Sequence, residues 1–193
     1  MKIMELLKTR RTYRIFDSSK KVDEYTIQCM KQALRYSSCA GNLQNIRYIF
    51  VENHEIVSRI FPFTYWAAYL DKEIGTPKPH QQPVMFVIVL KEKGKTTRWT
   101  DVDIGIAISN MTLVAWERGV GSCIMGNFDV DKISRILDIN EPYYIHSIVA
   151  FGIPGHTSTI VDMKDSVKYY IDDDFNYYVP KRKVEDSIKE IKE

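Results

Sequence analysis

Residues 103–128 read DIGIAISNMTLVAWERGVGSCIMGNF and join the longest apolar helix pattern of the chain to a strand pattern. Residues 101–118 predict a helix, and Gly119 is available to end it. Apolar side chains occur on nearly every side of this helix, so it must be buried inside the domain or against another subunit. After the glycine turn, residues 121–125 predict a short strand or an extended loop.

Around this stretch, helices and strands follow without the regular alternation of a βαβ barrel. Helices are predicted over residues 1–9, over 23–36 with Asp23 as the cap, and over 129–137 with Asp129 as the cap. Strands are predicted over residues 46–51, 84–90 and 145–151. The segment VMFVIVL, residues 84–90, is apolar throughout, which is typical of a central strand covered on both faces. This order predicts an α+β fold in a single domain of residues 1–193.

Composition bounds the class of protein. Lys and Arg exceed Asp and Glu by only two charges, which argues against a protein that coats nucleic acid. No apolar run approaches the ~20 residues of a membrane span, and MKIMELLKTRR lacks the apolar core of a signal peptide. The three cysteines cannot all pair, and the four histidines show no metal-ligand spacing. We therefore expect a cytoplasmic protein with no metal site.

A basic cluster at the end of the first helix is the first candidate site. It contains Arg10, Arg11, Thr12 and Arg14. Guanidinium groups present forked donors that match phosphate oxygens, and a hydroxyl adds a neutral donor. The pattern therefore indicates a phosphate-bearing ligand. The alternative is a solvated basic face, or charges that compensate the helix dipole.

Two loops are further candidates. Cys39, Asn42 and Gln44 lie in a small-residue loop where a flat ligand could approach the backbone, and the two carboxamides could bond a heterocycle. The alternative is an ordinary turn between a helix and a strand. The Gly-rich turn from Gly119 to Gly126 follows a helix and lacks the dinucleotide spacing, so it offers backbone donors or only a tight connection.

Taken in order, these segments resemble the nitroreductase family of flavin mononucleotide (FMN) enzymes. RRTYRIF resembles the family's R-R-S-x-R-x-F signature, and SSCAGNLQNIRYIFV its small-residue loop and first strand. Residues 103–128 resemble its central helix and following turn. IVAFGIPG resembles its last core strand, and VPKRKVED its closing basic motif. The resemblance spans residues 1 to about 186.

The resemblance implies a fold and a site. The fold is a mostly antiparallel central sheet flanked by helices, in a homodimer whose C-terminal arms, residues 157–193, exchange between subunits. The flavin sites lie at the subunit interface and draw on both chains. The residues that match the family's FMN contacts are Arg10, Arg11, Thr12, Arg14, Cys39, Asn42, Gln44, Met125, Gly126, Lys181 and Arg182.

The resemblance also implies the reaction. Electrons pass from NADH or NADPH through the bound flavin to a small acceptor such as a nitroaromatic or a quinone. No nucleophile or pair of acid–base carboxylates stands out, which is consistent with chemistry carried by a cofactor. Two alternatives remain: an FMN-binding carrier or sensor with little turnover, and an interaction module whose basic cluster binds an anionic partner.

The chain departs from the family pattern in three places. Thr12 stands where Ser is usual, and Asn45-Ile46 stand where Pro-Trp often follows the Gln. The family's polar ring contacts cannot be located within residues 53–82. That region contains the aromatic stretch FPFTYWAAYL, residues 61–70, which we interpret either as a substrate lid or as core and interface packing.

Overall fold

A computed structural model describes residues 2–191. Six α-helices lie within this part of the chain: α1 Ile3–Thr9, α2 Glu24–Tyr36, α3 His54–Ile60, α4 Lys72–Gly75, α5 Thr100–Glu117 and α6 Val130–Ile136. Its eight strands are β1 Phe16–Asp17, β2 Arg47–Val51, β3 Met85–Glu92, β4 Gly121–Met125, β5 Tyr143–Pro154, β6 Ser158–Asp162, β7 Tyr170–Ile171 and β8 Tyr177–Lys181.

The central sheet has five strands and is antiparallel throughout. Strand β5 pairs with three strands: β3, β4 and β1. Strand β2 pairs with β3 at the far side. The predicted α+β fold with a mostly antiparallel sheet flanked by helices is confirmed.

Both faces of the sheet are covered, as the apolar strand predicted. Phe86, Ile88 and Leu90 of β3 point into a core with α3 and α6. Met85 and Val87 point the other way, into a core with α2 and α5. Alternate residues of a strand face opposite sides, so a strand with two buried faces must be apolar at every position.

Helix α5 begins and ends within one residue of its prediction. Its inner face is buried, with Ile104 and Met111 each at most 1% exposed. Val102 and Ile106 on its outer face remain 49% and 38% exposed within one chain. The helix is therefore apolar on a side that the single chain does not cover. The predicted caps are also confirmed, because Asp23 accepts from Thr26 N and Asp129 accepts from Lys132 N.

The C-terminal arm forms a second, three-stranded sheet, in which β8 pairs parallel with β6 and antiparallel with β7. Tyr177 of β8 is 2% exposed and packs against residues of the same chain. Arm exchange between subunits stays a prediction. Beyond β8, the described residues 182–191 contain only a turn near 184–187. Within residues 2–191, no helix is long and apolar enough to cross a membrane.

Candidate functional site

The N-terminal basic segment, residues 10–14, leaves α1 and runs along the outer edge of β4. Thr12 pairs with Ser122 as a parallel bridge, and Tyr13 N donates to Ser122 O at 2.9 Å. A Cβ at Gly121 would lie only 2.9 Å from Tyr13 Cγ, closer than packed carbon atoms allow. Glycine at this position therefore lets the segment lie against the strand.

Arg10 and Arg11 are half-buried cations without a counter-ion. The Nε atoms of both are buried and have no hydrogen-bond partner, and neither residue forms an ion pair with any of residues 2–191. Burial lowers the pKa of Arg10; burial, and then the charge of Arg10, lower the pKa of Arg11. Arg11 Nη2 donates to Leu7 O. Two desolvated guanidinium groups at consecutive residues therefore lack both a counter-charge and acceptors for their buried Nε atoms, and an anion such as phosphate would supply both.

Arg14 is held by its backbone and by its side chain. Its backbone N–H donates to His156 Nε2 at 3.0 Å, and its Cζ lies 4.2 Å from the centroid of the Tyr169 ring and 5.3 Å from that of Tyr177. His156 Nδ1 lies 2.7 Å from Thr157 O. Since a carbonyl only accepts, Nδ1 carries the proton and Nε2 is the acceptor. Burial, with Arg14 nearby, lowers the pKa of His156 to about 4, so the ring is neutral near pH 7.

Met125 and Gly126 lie at the end of β4, beside the aromatic stretch. Met125 is buried and Gly126 is exposed. The next two residues pair with the aromatic stretch: Tyr65 N donates to Asn127 O at 3.1 Å, and Thr64 bridges Phe128. The aromatic stretch therefore lies alongside the same turn.

The substrate-lid interpretation is wrong for two of the aromatic residues. Phe61 and Trp66 belong to the core and are 9% and 8% exposed. The Trp66 indole N–H donates to Thr64 Oγ1 at 2.9 Å, which satisfies its polar atom inside the protein. Tyr65 and Tyr69 are about half exposed, so they are the members of the stretch that can reach a ligand.

The loop with Cys39, Asn42 and Gln44 lies at the opposite edge of the sheet, before β2. Strands β5 and β3 separate β2 from β4, so the edges are ~14 Å apart at the usual strand spacing. Asp103 of α5 fixes the loop by accepting from Ala40 N at 2.9 Å, and Gln44 Nε2 donates to Asn42 Oδ1 at 3.1 Å. One chain therefore does not bring these three residues to the basic segment.

A cavity of about 490 Å³ opens beside this loop, between α2, β2 and α5. Cys39, Gln44 and Tyr48 line it, with Arg35 and Arg47. Burial, with Cys39 and Asp103 nearby, raises the pKa of Tyr48 to about 12, so its hydroxyl keeps its proton. The cavity offers the Tyr48 hydroxyl, three cations (Lys31, Arg35 and Arg47) and the Asp103 carboxylate, at the edge where β2 has no partner strand among the described residues.

Lys181 and Arg182 lie at the end of β8 and are exposed. Lys181 is four residues beyond Tyr177, which places it ~13 Å along the strand from the Arg14 contact. The structure therefore groups Arg10, Arg11, Thr12 and Arg14 along β4, which leads to Met125, and leaves the C-terminal pair apart.

Three site residues were missed from the sequence. His156, Tyr169 and Tyr177 surround Arg14, yet they follow it by more than 140 residues. No local spacing links residues so far apart, and their contact depends on β1 pairing with the end of β5.

Comparison with known proteins assigns the chain to a family. The profile of the nitroreductase family matches residues 7–153. The chain belongs to the nitroreductase family. The matched range contains the basic segment, the loop of residues 39–44 and the β4 turn, whereas Lys181 and Arg182 lie beyond it.

Individual relatives have low sequence identity to this chain, but each match covers most of both proteins. A Staphylococcus haemolyticus protein named "Putative NAD(P)H nitroreductase" is 23% identical, and the match covers 78% of this chain and 87% of that protein. An Archaeoglobus fulgidus protein, "Putative NADH dehydrogenase/NAD(P)H nitroreductase", is 25% identical over 90% of this chain and 92% of its own. The structure of an FMN-dependent nitroreductase from Clostridium difficile superposes with a TM-score of 0.65, at 19% identity, over 84% of this chain and 92% of its own.

Proposed function

We propose that this nitroreductase binds FMN and passes electrons from NADH or NADPH to a small acceptor such as a nitroaromatic or a quinone. Family membership and the names of its relatives support the reaction class. The observation that carries the proposal is the pair Arg10 and Arg11, two desolvated guanidinium groups that lack a counter-ion among residues 2–191. A phosphate monoester of a flat cofactor fits this pair.

The described residues fit FMN in three respects. Arg10, Arg11 and the Thr12 hydroxyl offer charged and neutral donors to a phosphate. Gly126 has no side chain, and a Cβ there would meet no atom within 4 Å, so a flat ring can approach its backbone. Met125, whose side chain is buried in the core, presents its backbone beside that position.

A bound flavin supplies the redox chemistry, since it accepts a hydride from a nicotinamide and returns electrons to an acceptor. The chain's own residues would bind the flavin and stabilise its reduced form. With a flavin bound, the fixed positive charge of the basic segment would stabilise the negative charge that the cofactor gains on reduction. Neutral His156 orients the backbone of Arg14 without adding a competing charge. Tyr65 and Tyr69 flank the turn and would limit the space open to the acceptor.

The site needs a second copy of the chain. Strand β2, which follows the loop with Cys39, Asn42 and Gln44, lies ~14 Å from β4 within one chain, and the loop of a partner subunit would supply these contacts to the site along β4. Trp99, Val102 and Ile106 form an exposed apolar surface directly beside Cys39 and Ala40. A two-fold dimer through this surface would cover it and bring each loop to the other subunit.

Ile106→Glu tests the dimer, because a buried charge at a two-fold interface is strongly unfavourable. We expect a folded monomer by analytical ultracentrifugation, with flavin affinity reduced at least tenfold. Val130→Glu is the matched control, since Val130 is equally exposed, at 43%, but lies on α6 away from this surface. A dimeric Ile106→Glu variant that binds FMN normally would contradict the interface.

We also propose that the end of the arm, Lys181 and Arg182, reaches the site of the partner subunit, while Tyr169 and Tyr177 stay packed against Arg14 of their own chain. This arm exchange has its own test. Mixed dimers combine one Arg10→Met chain with one chain in which Lys181 and Arg182 are both changed to Ala. If the arms exchange, both defects fall in one site and the other site keeps native affinity. If each arm serves its own subunit, both sites are weakened. Titration of the purified mixed dimer with FMN distinguishes the two cases: with arm exchange half of the sites bind FMN with native affinity, and without it no site does.

An anaerobic titration tests the reaction. We expect the yellow FMN-loaded protein to be bleached by a stoichiometric amount of NADH or NADPH, and its colour to return when a quinone is added. A protein that binds FMN but stays yellow would be a carrier or sensor. A protein that fails to bind FMN would contradict the proposal and favour an interaction module.

A further inference from the structure

One side chain of the C-terminal arm, Tyr169, joins three segments that are distant in sequence. Its ring lies under the guanidinium of Arg14, 4.2 Å from Cζ. Its hydroxyl accepts from Tyr69 N at 3.4 Å, and the two tyrosine rings lie 5.1 Å apart. Tyr177 of β8 packs 6.1 Å from the same ring. Tyr169 therefore links the basic segment, the aromatic stretch and the arm.

The ring of Tyr169 restricts Arg14 without using its hydrogen-bond donors. The guanidinium makes no ion pair or hydrogen bond with residues 2–191, and it lies over Tyr169 with Tyr177 at 5.3 Å. A cation over an aromatic face is held by the ring quadrupole, which leaves its N–H groups free for an acceptor. Arg14 is thus held in place while its donors stay available.

The hydroxyl of Tyr169 acts on a different element. The stretch that it contacts at Tyr69 is bound at its other end to the β4 turn, through Tyr65 N and Asn127 O. Between these two bonds lie residues 66–68, of which Trp66 and Ala67 are buried. The backbone of this stretch is therefore held at Tyr65 by the β4 turn and at Tyr69 by Tyr169.

We propose that Tyr169 is a positioning residue with two separable roles: its ring orients Arg14 for flavin binding, and its hydroxyl holds the aromatic stretch closed and so limits acceptor size. This inference rests on the proposed function. The two roles use different atoms, so substitutions can remove them one at a time. Tyr169→Phe removes only the hydroxyl, and Tyr169→Leu also removes the aromatic face.

Tyr170 provides the matched control. It is adjacent in sequence and 50% exposed, and it stacks on Tyr178 at 5.2 Å rather than on the site. Tyr170→Phe and Tyr170→Leu therefore report what the same changes do to the arm alone.

The experiment measures three quantities on the full-length protein and these four variants. The first is the dissociation constant for FMN, from quenching of flavin fluorescence. The second is amide hydrogen exchange of residues 64–71, and the third is kcat and KM for benzoquinone and for a bulkier naphthoquinone. Only the third depends on turnover.

For Tyr169→Phe we expect an FMN dissociation constant within twofold of the native value and faster exchange at residues 64–71. Its kcat/KM ratio of naphthoquinone to benzoquinone should rise severalfold, through KM. For Tyr169→Leu we expect FMN affinity to fall about five- to thirtyfold, as the loss of a cation–π contact implies. The Tyr170 variants should change none of these quantities.

Unchanged exchange and unchanged selectivity in Tyr169→Phe would overturn the hydroxyl role. Native FMN affinity in Tyr169→Leu, or equal losses in Tyr170→Leu, would overturn the ring role. If Tyr169→Leu fails to fold, a Tyr169→Trp variant, which keeps an aromatic face, should retain FMN affinity and so rescue the ring role. A native protein that binds FMN but is not reduced by NADH or NADPH would instead defeat the proposed function, while exchange and FMN affinity still decide the role of Tyr169.

Discussion

Replacement of Arg10 by Met separates a ligand-binding arginine from a structural one. Met keeps the apolar length of the side chain but removes a half-buried charge that has no counter-ion among residues 2–191. A charge-assisted hydrogen bond contributes roughly 1.5–3 kcal/mol, so the FMN dissociation constant should rise about ten- to over a hundredfold. Arg10 lowers the pKa of Arg11, which shows that the two charges repel in the ligand-free protein. The free energy of unfolding of ligand-free Arg10→Met should therefore stay within about 0.5 kcal/mol of the native value or increase.

Two measurements on Arg10→Met test these opposite effects. Fluorescence titration gives the FMN dissociation constant, and urea unfolding of the ligand-free protein gives its stability. Lys8→Met is the control, because Lys8 lies in the last turn of the same helix and is exposed. Native FMN affinity in Arg10→Met would refute the assignment to phosphate. A loss of about 2 kcal/mol or more of stability without ligand would show that Arg10 has a structural role instead.

Three further predictions concern the surroundings of the site. Folding lowers the pKa of His156 from ~6.5 in the unfolded chain to about 4. Between these two pH values His156 is protonated in the unfolded chain but neutral in the folded protein, so the free energy of unfolding is highest above pH ~6.5 and falls as the pH drops toward 4. The pH dependence of urea unfolding should therefore be shallower in His156→Gln over that range. A Cβ on Gly152 would lie 2.9 Å from the Phe16 ring, so Gly152→Ala should cost about 1–3 kcal/mol and weaken FMN binding, as denaturation and titration would measure. Asp103 is 4% exposed and accepts from Ala40 N, so Asp103→Ala should cost about 1–3 kcal/mol and speed hydrogen exchange at residues 38–44.

Local signals in the sequence predicted most of the core elements. The caps Asp23 and Asp129 begin their helices because each carboxylate accepts a backbone N–H of the first turn. The segment VMFVIVL is central because every position is apolar. In contrast, β1 has two residues and β7 has two, which is too short for any periodicity.

The candidate site divides in the same way. Arg10, Arg11 and Thr12 stand out because cations and a hydroxyl are adjacent in sequence, and the structure keeps them together on β4. His156 could not be found, because its role depends on a hydrogen bond to a residue 142 positions away. The role of Trp66 was ambiguous, because the sequence around a buried Trp whose indole N–H is hydrogen-bonded looks the same as that around an exposed lid residue.

The attachment of the basic segment to β4 and to the end of β5 has a consequence for synthesis. Translation delivers residues 10–17 early, but their partner Ser122 emerges only after about three-fifths of the chain, and their partners Ile153 and Pro154 only after about four-fifths. Contacts of such high sequence separation form late, because the connecting chain must first be ordered. We therefore expect nascent chains that end before residue 122 to have no affinity for FMN. The cofactor should bind only after residues 121–154 have left the ribosome and the sheet has formed.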